Sequence, residues 1–214
     1  MIFKKKKCYD QHLCSIIYAY DSFFRCKIDP YNSNLYRDDK RRKINKGHFL
    51  FVPKGDIIEL LKCFENILNY LSKKNKGMFD SKKRPYFLDA GCGIGNIMML
   101  ADRVGFDAFG IEYDHKTFKI AQKIVTCIGI PLRNVIRGDI ATYEEYYKYN
   151  VIYSFIPIKS HTKQNAFMQK LANTTKVGTI TVTCGGDIPL LEDDRFEESI
   201  VKCRRVRILE KVRE

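Results

Sequence analysis

The segment Phe87-Leu88-Asp89-Ala90-Gly91-Cys92-Gly93-Ile94-Gly95-Asn96 constrains this chain more than any other. An apolar strand delivers a carboxylate, a loop with glycines at alternate positions turns the chain, and a helical pattern follows. Glycine accepts positive φ and lets a ligand approach the backbone closely. Open α/β sheets bind ligands in the crevice beyond the carboxyl ends of their strands, where such a loop would sit. Two common uses of a glycine-rich turn are excluded. The dinucleotide fingerprint requires a third glycine where Asn96 stands, and the Lys-Ser/Thr pair of a phosphate-binding loop is absent.

The surrounding pattern predicts the sheet that this loop requires. Strands are expected at Tyr86–Asp89, Ala108–Glu112, Asn134–Arg137, Val151–Ile156 and Gly178–Cys184. Helices are expected at Ile97–Val104, Asp114–Cys127 and Gln164–Ala172, with a short helical piece at Tyr143–Tyr147. Short connections between alternating strands and helices imply a mostly parallel sheet covered on both faces, a doubly wound Rossmann-like α/β fold. Beyond Cys184 the pattern weakens. Gly185-Gly186 and Pro189 mark a loop, Glu192-Asp193-Asp194 reads as exposed, and Ser199–Lys202 and Arg205–Lys211 read as one or two final strands. No internal repeat is visible.

Carboxylates recur at the ends of successive strands. Glu112 ends the second strand, 17 residues after Gly95, where a carboxylate can accept both ribose hydroxyls. Asp139 follows the third strand and can accept from an exocyclic amine, while the Ile140 N–H donates to a ring nitrogen. Each residue also has a plain structural use: Asp89 as a helix cap, Glu112 as a surface charge, Asp139 as a turn former. Their joint placement at successive strand ends favours an adenosine-shaped ligand.

On these residues the chain resembles the class I S-adenosylmethionine-dependent methyltransferases over residues 86–184. Asp89-Ala-Gly-Cys-Gly-Ile-Gly95 is similar to the family's first motif, Glu112 to its ribose-binding acid, and Gly138-Asp139 to its adenine-binding motif. The resemblance implies S-adenosylmethionine as cofactor. It places Asp89 and the backbone of the loop with Gly91, Gly93 and Gly95 against the methionine part, Glu112 against the ribose, and Asp139 and Ile140 against adenine, with Cys92, Asn96 and Tyr113 also among the cofactor-binding residues. It also implies that the fourth strand lines the methyl-acceptor pocket. Tyr153, Ser154, Phe155 and Pro157 are the candidates there, with Ser154 also near the cofactor. Ser154-Phe155-Ile156-Pro157 departs from the Asn/Asp-Pro-Pro-Tyr of enzymes that methylate amide or exocyclic nitrogen. Phe51-Val-Pro53 and Arg137-Gly138-Asp139 resemble segments of lysine methyltransferases that lack a SET domain. His161 reads as a solvated loop residue, and no catalytic base or metal ligand is assigned.

Charge divides the chain. The 214 residues carry a net charge of +13, and residues 1–84 hold 20 Lys/Arg against 9 Asp/Glu. That segment reads as a basic, largely helical N-terminal extension, and residues 85–214 as the cofactor-binding core. Expected within the extension are a helix over residues 10–27, a short apolar segment His48–Pro53, a helix from an Asp56 N-cap to about Leu71, and a basic linker over 72–84. Lys4–Lys7, Lys40–Lys43 with Lys46, and Lys73 to Arg84 are its densest basic clusters. Such clusters attract polyanions, so an anionic macromolecule is the expected partner: nucleic acid, or an acidic protein surface. A methyltransferase-like module that binds RNA or protein without catalysis is the alternative reading. Eight cysteines without a Cys-x-x-Cys pair read as reduced thiols, and no apolar run reaches membrane-spanning length. A cytoplasmic protein is expected, or a nuclear one in a eukaryote.

Overall fold

A computed structural model describes residues 54–75, 79, 83–155, 158, 160–183, 189–204 and 206–214, with residues 54–56 described by backbone alone. The expected helix over residues 10–27, the segment His48–Pro53, Ile156, Pro157 and Cys184 lie outside the described residues. The chain divides into two compact units, Met1–Ile58 and Glu59–Glu214.

The second unit is built on one seven-stranded sheet. Its strands are β1 (Tyr86–Ala90), β2 (Asp107–Glu112), β3 (Val135–Arg137), β4 (Val151–Ser154), β5 (Ile180–Thr183), β6 (Phe196–Glu198) and β7 (Arg207–Lys211). Their order across the sheet is β3-β2-β1-β4-β5-β7-β6. Neighbours from β3 to β5 pair in parallel, whereas β7 is antiparallel to both β5 and β6. The sheet is therefore mostly parallel, with β7 alone reversed. The order reverses between β1 and β4, which makes their carboxyl ends the topological switch point.

Helices cover both faces. Leu60, Leu61, Phe64, Ile67 and Leu71 recur at three- and four-residue steps along α1 (Lys54–Lys74) and are buried. Phe64 is fully buried and packs edge-on against Phe87 of β1 at 5.0 Å and Tyr153 of β4 at 6.0 Å. Each such ring pair adds about 0.5–1.5 kcal/mol beyond area burial. Parallel register aligns Asp89 with Tyr153 and with Gly110, so Phe87, Asp89, Gly110 and Tyr153 share the face under α1. On the other face Leu88, Ala90 and Ile152 join Phe167, Met168 and Leu171 of α4 (His161–Thr174) in one core. α2 (Asn96–Val104) follows β1, and α3 (His115–Cys127) follows β2. Right-handed crossovers put both on the α1 side.

Several boundaries differ from the sequence expectation. α1 begins at Lys54, so Asp56 is a residue of its first turn, not its N-cap, and α1 runs through Lys74 into the expected linker. Ser199–Lys202 is not a strand; β6 lies three residues earlier. Asp193 is half-buried, because its carboxylate pairs with the Arg195 guanidinium at 2.7 Å. His161 opens α4 and is not a loop residue. The piece expected at Tyr143–Tyr147 is a single tight turn at Tyr146–Lys148. Arg84, placed in a basic cluster, caps a helix: it donates to the Asp102 and Gly105 carbonyls and pairs with the Asp102 carboxylate at 2.9 Å.

Candidate active site

The glycine loop is tied down at both ends. Gly91, Gly93 and Gly95 have φ of 89°, 55° and 92°, in the left-handed region that side chains resist. The N–H groups of Gly91 and Cys92 donate to the Ile111 carbonyl at 3.0 and 2.9 Å, bending the loop over the carboxyl end of β2. Glu112 completes the anchor. Its Oε2 accepts the Gly93 N–H at 3.0 Å, and its Oε1 accepts the Asp114 N–H at 2.7 Å. Burial pushes the Glu112 carboxyl up, and those two N–H groups pull it back. The packing beneath leaves no slack. A Cβ on Gly110 would stand 2.6 Å from Cys92 Cβ and would also strike Met98 Sδ.

Asp89 lies on the same face, one strand over. It is 3% exposed. Burial, and then the charge of Glu112, hold its carboxyl well above the usual carboxylate range. It caps no helix; the residue before α2 is Gly95, with no side-chain cap. Cys92 is buried beside the two acids, and burial pushes its thiol up, so it packs as an inert small hydrophobe. Glu112, the third residue of this group, is half-buried and not a surface charge.

The loop after β3 comes to the same corner, where the Gly138 N–H donates to the Glu112 carbonyl at 3.2 Å. Asp139 is exposed and shapes the turn, its Oδ1 accepting the Ala141 N–H at 2.9 Å. Ile140 is buried. Its carbonyl accepts the Tyr146 hydroxyl at 2.6 Å, a bond that locks the loop against the buried core. Tyr146 escaped the sequence reading. The Tyr143/Tyr146/Tyr149 spacing was its only signal, and that spacing is equally a core pattern. Tyr113 stands exposed at the end of β2, before Asp114, which caps α3 through the Thr117 N–H at 2.8 Å.

At the end of β4, Tyr153 is buried under α1, Phe155 is half-buried, and Ser154 faces the opposite side with Ala90. Ser154 Oγ and Asn96 Oδ1 are buried without a hydrogen-bond partner among the described residues. So are the hydroxyls of Thr181 and Thr183 on β5, which align with Ile152 and Ser154. Nothing in the sequence marked those two threonines as more than strand formers. Among the described residues, no cluster of three or more His, Cys, Asp or Glu could hold a metal ion, and no helix is long and apolar enough to cross a membrane.

No protein-family model and no curated protein matches the chain. Solved structures do. Magnesium protoporphyrin IX methyltransferase from Synechocystis PCC 6803 with bound S-adenosylmethionine superposes with a TM-score of 0.51 at 19% identity, covering 90% of this chain and 96% of that one. Its complex with S-adenosylhomocysteine gives 0.52 at 17% identity, over 94% and 100%. A 16S rRNA methyltransferase from T. thermophilus, in complex with AdoMet and guanosine, gives 0.53 at 19%, over 79% of this chain and 45% of that one. The chain has the class I methyltransferase fold. Within that fold, the carboxylates of Asp89 and Glu112 share one sheet face. Among the described residues, Asn96 Oδ1 is buried without a partner at the start of α2, and Ser154 Oγ is buried without one on the opposite face at the end of β4. The ionised carboxylates and Asn96 Oδ1 can accept hydrogen bonds from a ligand, and the Ser154 hydroxyl can donate or accept one.

Proposed function

We propose that the protein is an S-adenosylmethionine-dependent methyltransferase acting on a macromolecular acceptor. One observation carries the reading: Asp89 and Glu112 share one sheet face at the switch point, and the Gly93 N–H is bonded to the Glu112 carboxylate. Asp89 and the backbone of Gly91–Gly95 hold the methionine end. The free lone pairs of Glu112 accept the ribose hydroxyls, since a carboxylate can accept about four hydrogen bonds. Asp139 and Ile140 hold the base, and Tyr146 fixes their loop. The cofactor, when bound, supplies an activated methyl group on a sulfonium. The task left to the protein is to position an acceptor and exclude water, which can be worth about 7–11 kcal/mol in well-aligned cases. The acceptor pocket is assigned to the fourth-strand segment with Tyr153, Ser154, Phe155 and Pro157, and substrate recognition to the basic N-terminal segment 1–84. Nucleic acid and protein lysine are the acceptor classes that the charge favours.

Calorimetric titration with S-adenosylmethionine tests the reading. Binding is expected, with Glu112→Ala weakening it at least tenfold. No binding would leave the inert-module alternative. Transfer of a labelled methyl group into cell extract, followed by nuclease or protease digestion, then assigns the acceptor class.

A further inference from the structure

Between His115 and Arg137 the chain carries five cations, Lys116, Lys119, Lys123, Arg133 and Arg137, and no carboxylate. All five are exposed. At 3.6 residues per turn, the three lysines of α3 fall within an arc of about 60°, spaced about 4.5 and 6 Å along the axis. α3 covers β2 and β3, and β3 is the edge strand of the sheet. A crossover helix runs antiparallel to its strands. Arg137, at the carboxyl end of β3, is therefore level with the start of α3, and Arg133 with its end. The lysine row runs along the outer face of α3, opposite the buried Phe118, Ala121 and Val125, and Arg133 and Arg137 extend the positive surface to the β3 edge that α3 covers.

Many cations of the sheet unit have a carboxylate partner. Lys74 pairs with Glu210, Arg84 with Asp102, Lys148 with Glu145, Lys170 with Glu144, and Lys202 and Arg207 with Glu198. Among the described residues, none of the five has a carboxylate within ion-pair distance. Lys119 reaches Gln122 Oε1 at 3.4 Å and stands over the Phe118 ring at 5.4 Å, and Lys116 lies near the Asp114 cap. Repulsion along such a row opposes folding, and no ion pair among the described residues offsets it.

We propose that this edge binds the phosphodiester backbone of a single-stranded nucleic acid. One row of cations on a convex edge follows one strand of phosphates, and released counterions drive the association. An acidic protein would need an apolar anchor amid the charges. The exposed aliphatic side chains nearby, Ile128 and Leu132, stand at the far end of the row, and the exposed ring at its near end is Tyr113, a face on which a base can stack. The inference does not depend on the methyltransferase reading, because the row lies outside the residues assigned to the cofactor.

The test is fluorescence anisotropy of a labelled polyuridine oligonucleotide titrated with the full chain at several KCl concentrations. The triple variant K116E/K119E/K123E is compared with K163E/K176E/R204E, which makes the same charge change at exposed cations outside both the row and the basic segment 1–84. The row variant should bind at least tenfold more weakly, and its salt slope should fall by about 2, from 0.7 per lost phosphate contact. The control should change affinity less than threefold. Circular dichroism checks folding, and K116Q/K119Q/K123Q is read instead if the reversal variant does not fold. Equal losses in row and control variants, no polyuridine binding by the unaltered chain, or equally tight binding of labelled polyglutamate would each overturn the proposal.

Discussion

A carboxyl group that is nearly inaccessible to water and faces a second acid is costly to ionise, and Asp89 is such a group. Its folded-state pKa lies above its unfolded value, so the linkage runs against the ionised form. As pH rises past the ordinary carboxylate range, the unfolded chain releases this proton and the folded chain retains it. Stability conferred by the neutral form is therefore lost as pH climbs through that window. Asp89→Asn should raise the melting temperature at neutral pH and abolish the cofactor binding proposed for this site. The stability gain should fade as pH drops through the ordinary carboxylate range and vanish below about pH 3, where both states hold the proton; thermal melts across pH measure it. Tyr146 makes the opposite kind of contribution. Tyr146→Phe leaves the buried Ile140 carbonyl without its donor and should cost about 1–2 kcal/mol in urea denaturation. It should also loosen the loop that carries Asp139, weakening S-adenosylmethionine binding while leaving Asp89 and Glu112 in place.

The same logic of filled space and satisfied carbonyls governs the elements. β2 can pass beneath the glycine loop only because Gly110 has no side chain. Gly110→Ala forces Cys92 and Met98 apart and should destabilise by about 1–3 kcal/mol through overpacking, read as a lowered urea midpoint. At the other end of the sheet, Lys211 is fully buried, and its ammonium donates to the Thr175 carbonyl at the end of α4 at 2.7 Å. Lys211→Met removes that cap and should cost about 1–3 kcal/mol in the same measurement. Neither residue was readable as special in the sequence. The strand–helix alternation from Tyr86 to Thr183 was readable, because each of those elements carries its own apolar period. β6 was not: only Phe196 of its three residues is buried, so it has no period, and pairing with β7 defines it. Arg84 read as one more cation of a basic run, since its role as a cap of α2 depends on a carbonyl 21 residues away. The acids at 89, 112 and 139 were readable as a group because a parallel sheet delivers successive strand ends to one rim. The turn made by Asp139 and the bonds from Gly93 and Asp114 to Glu112 were not, because they depend on loop geometry.

On the scale of the whole molecule, the sheet has two unlike halves joined at the β1–β4 switch. In one half, β3-β2-β1, the carboxyl ends carry the glycine loop, Glu112 and Asp139. In the other, β5-β7-β6, the reversed β7 is held by α1 through Tyr70 and Lys74 on Glu210, and by α4 through Lys211. A ligand at the switch point should therefore protect one half only. Hydrogen–deuterium exchange with and without saturating S-adenosylmethionine should show slowed exchange at Gly91–Asn96, Glu112–Asp114 and Gly138–Ile140. These three segments are far apart in sequence but bonded to one another through Glu112 and Ile111. The strands β6 and β7 should exchange at unchanged rates apart from the global gain, about 2.7 kcal/mol at a hundredfold excess over Kd. Protection confined to β5–β7, or spread evenly without the three segments standing out, would place the ligand elsewhere and break the link between the strand order and the site.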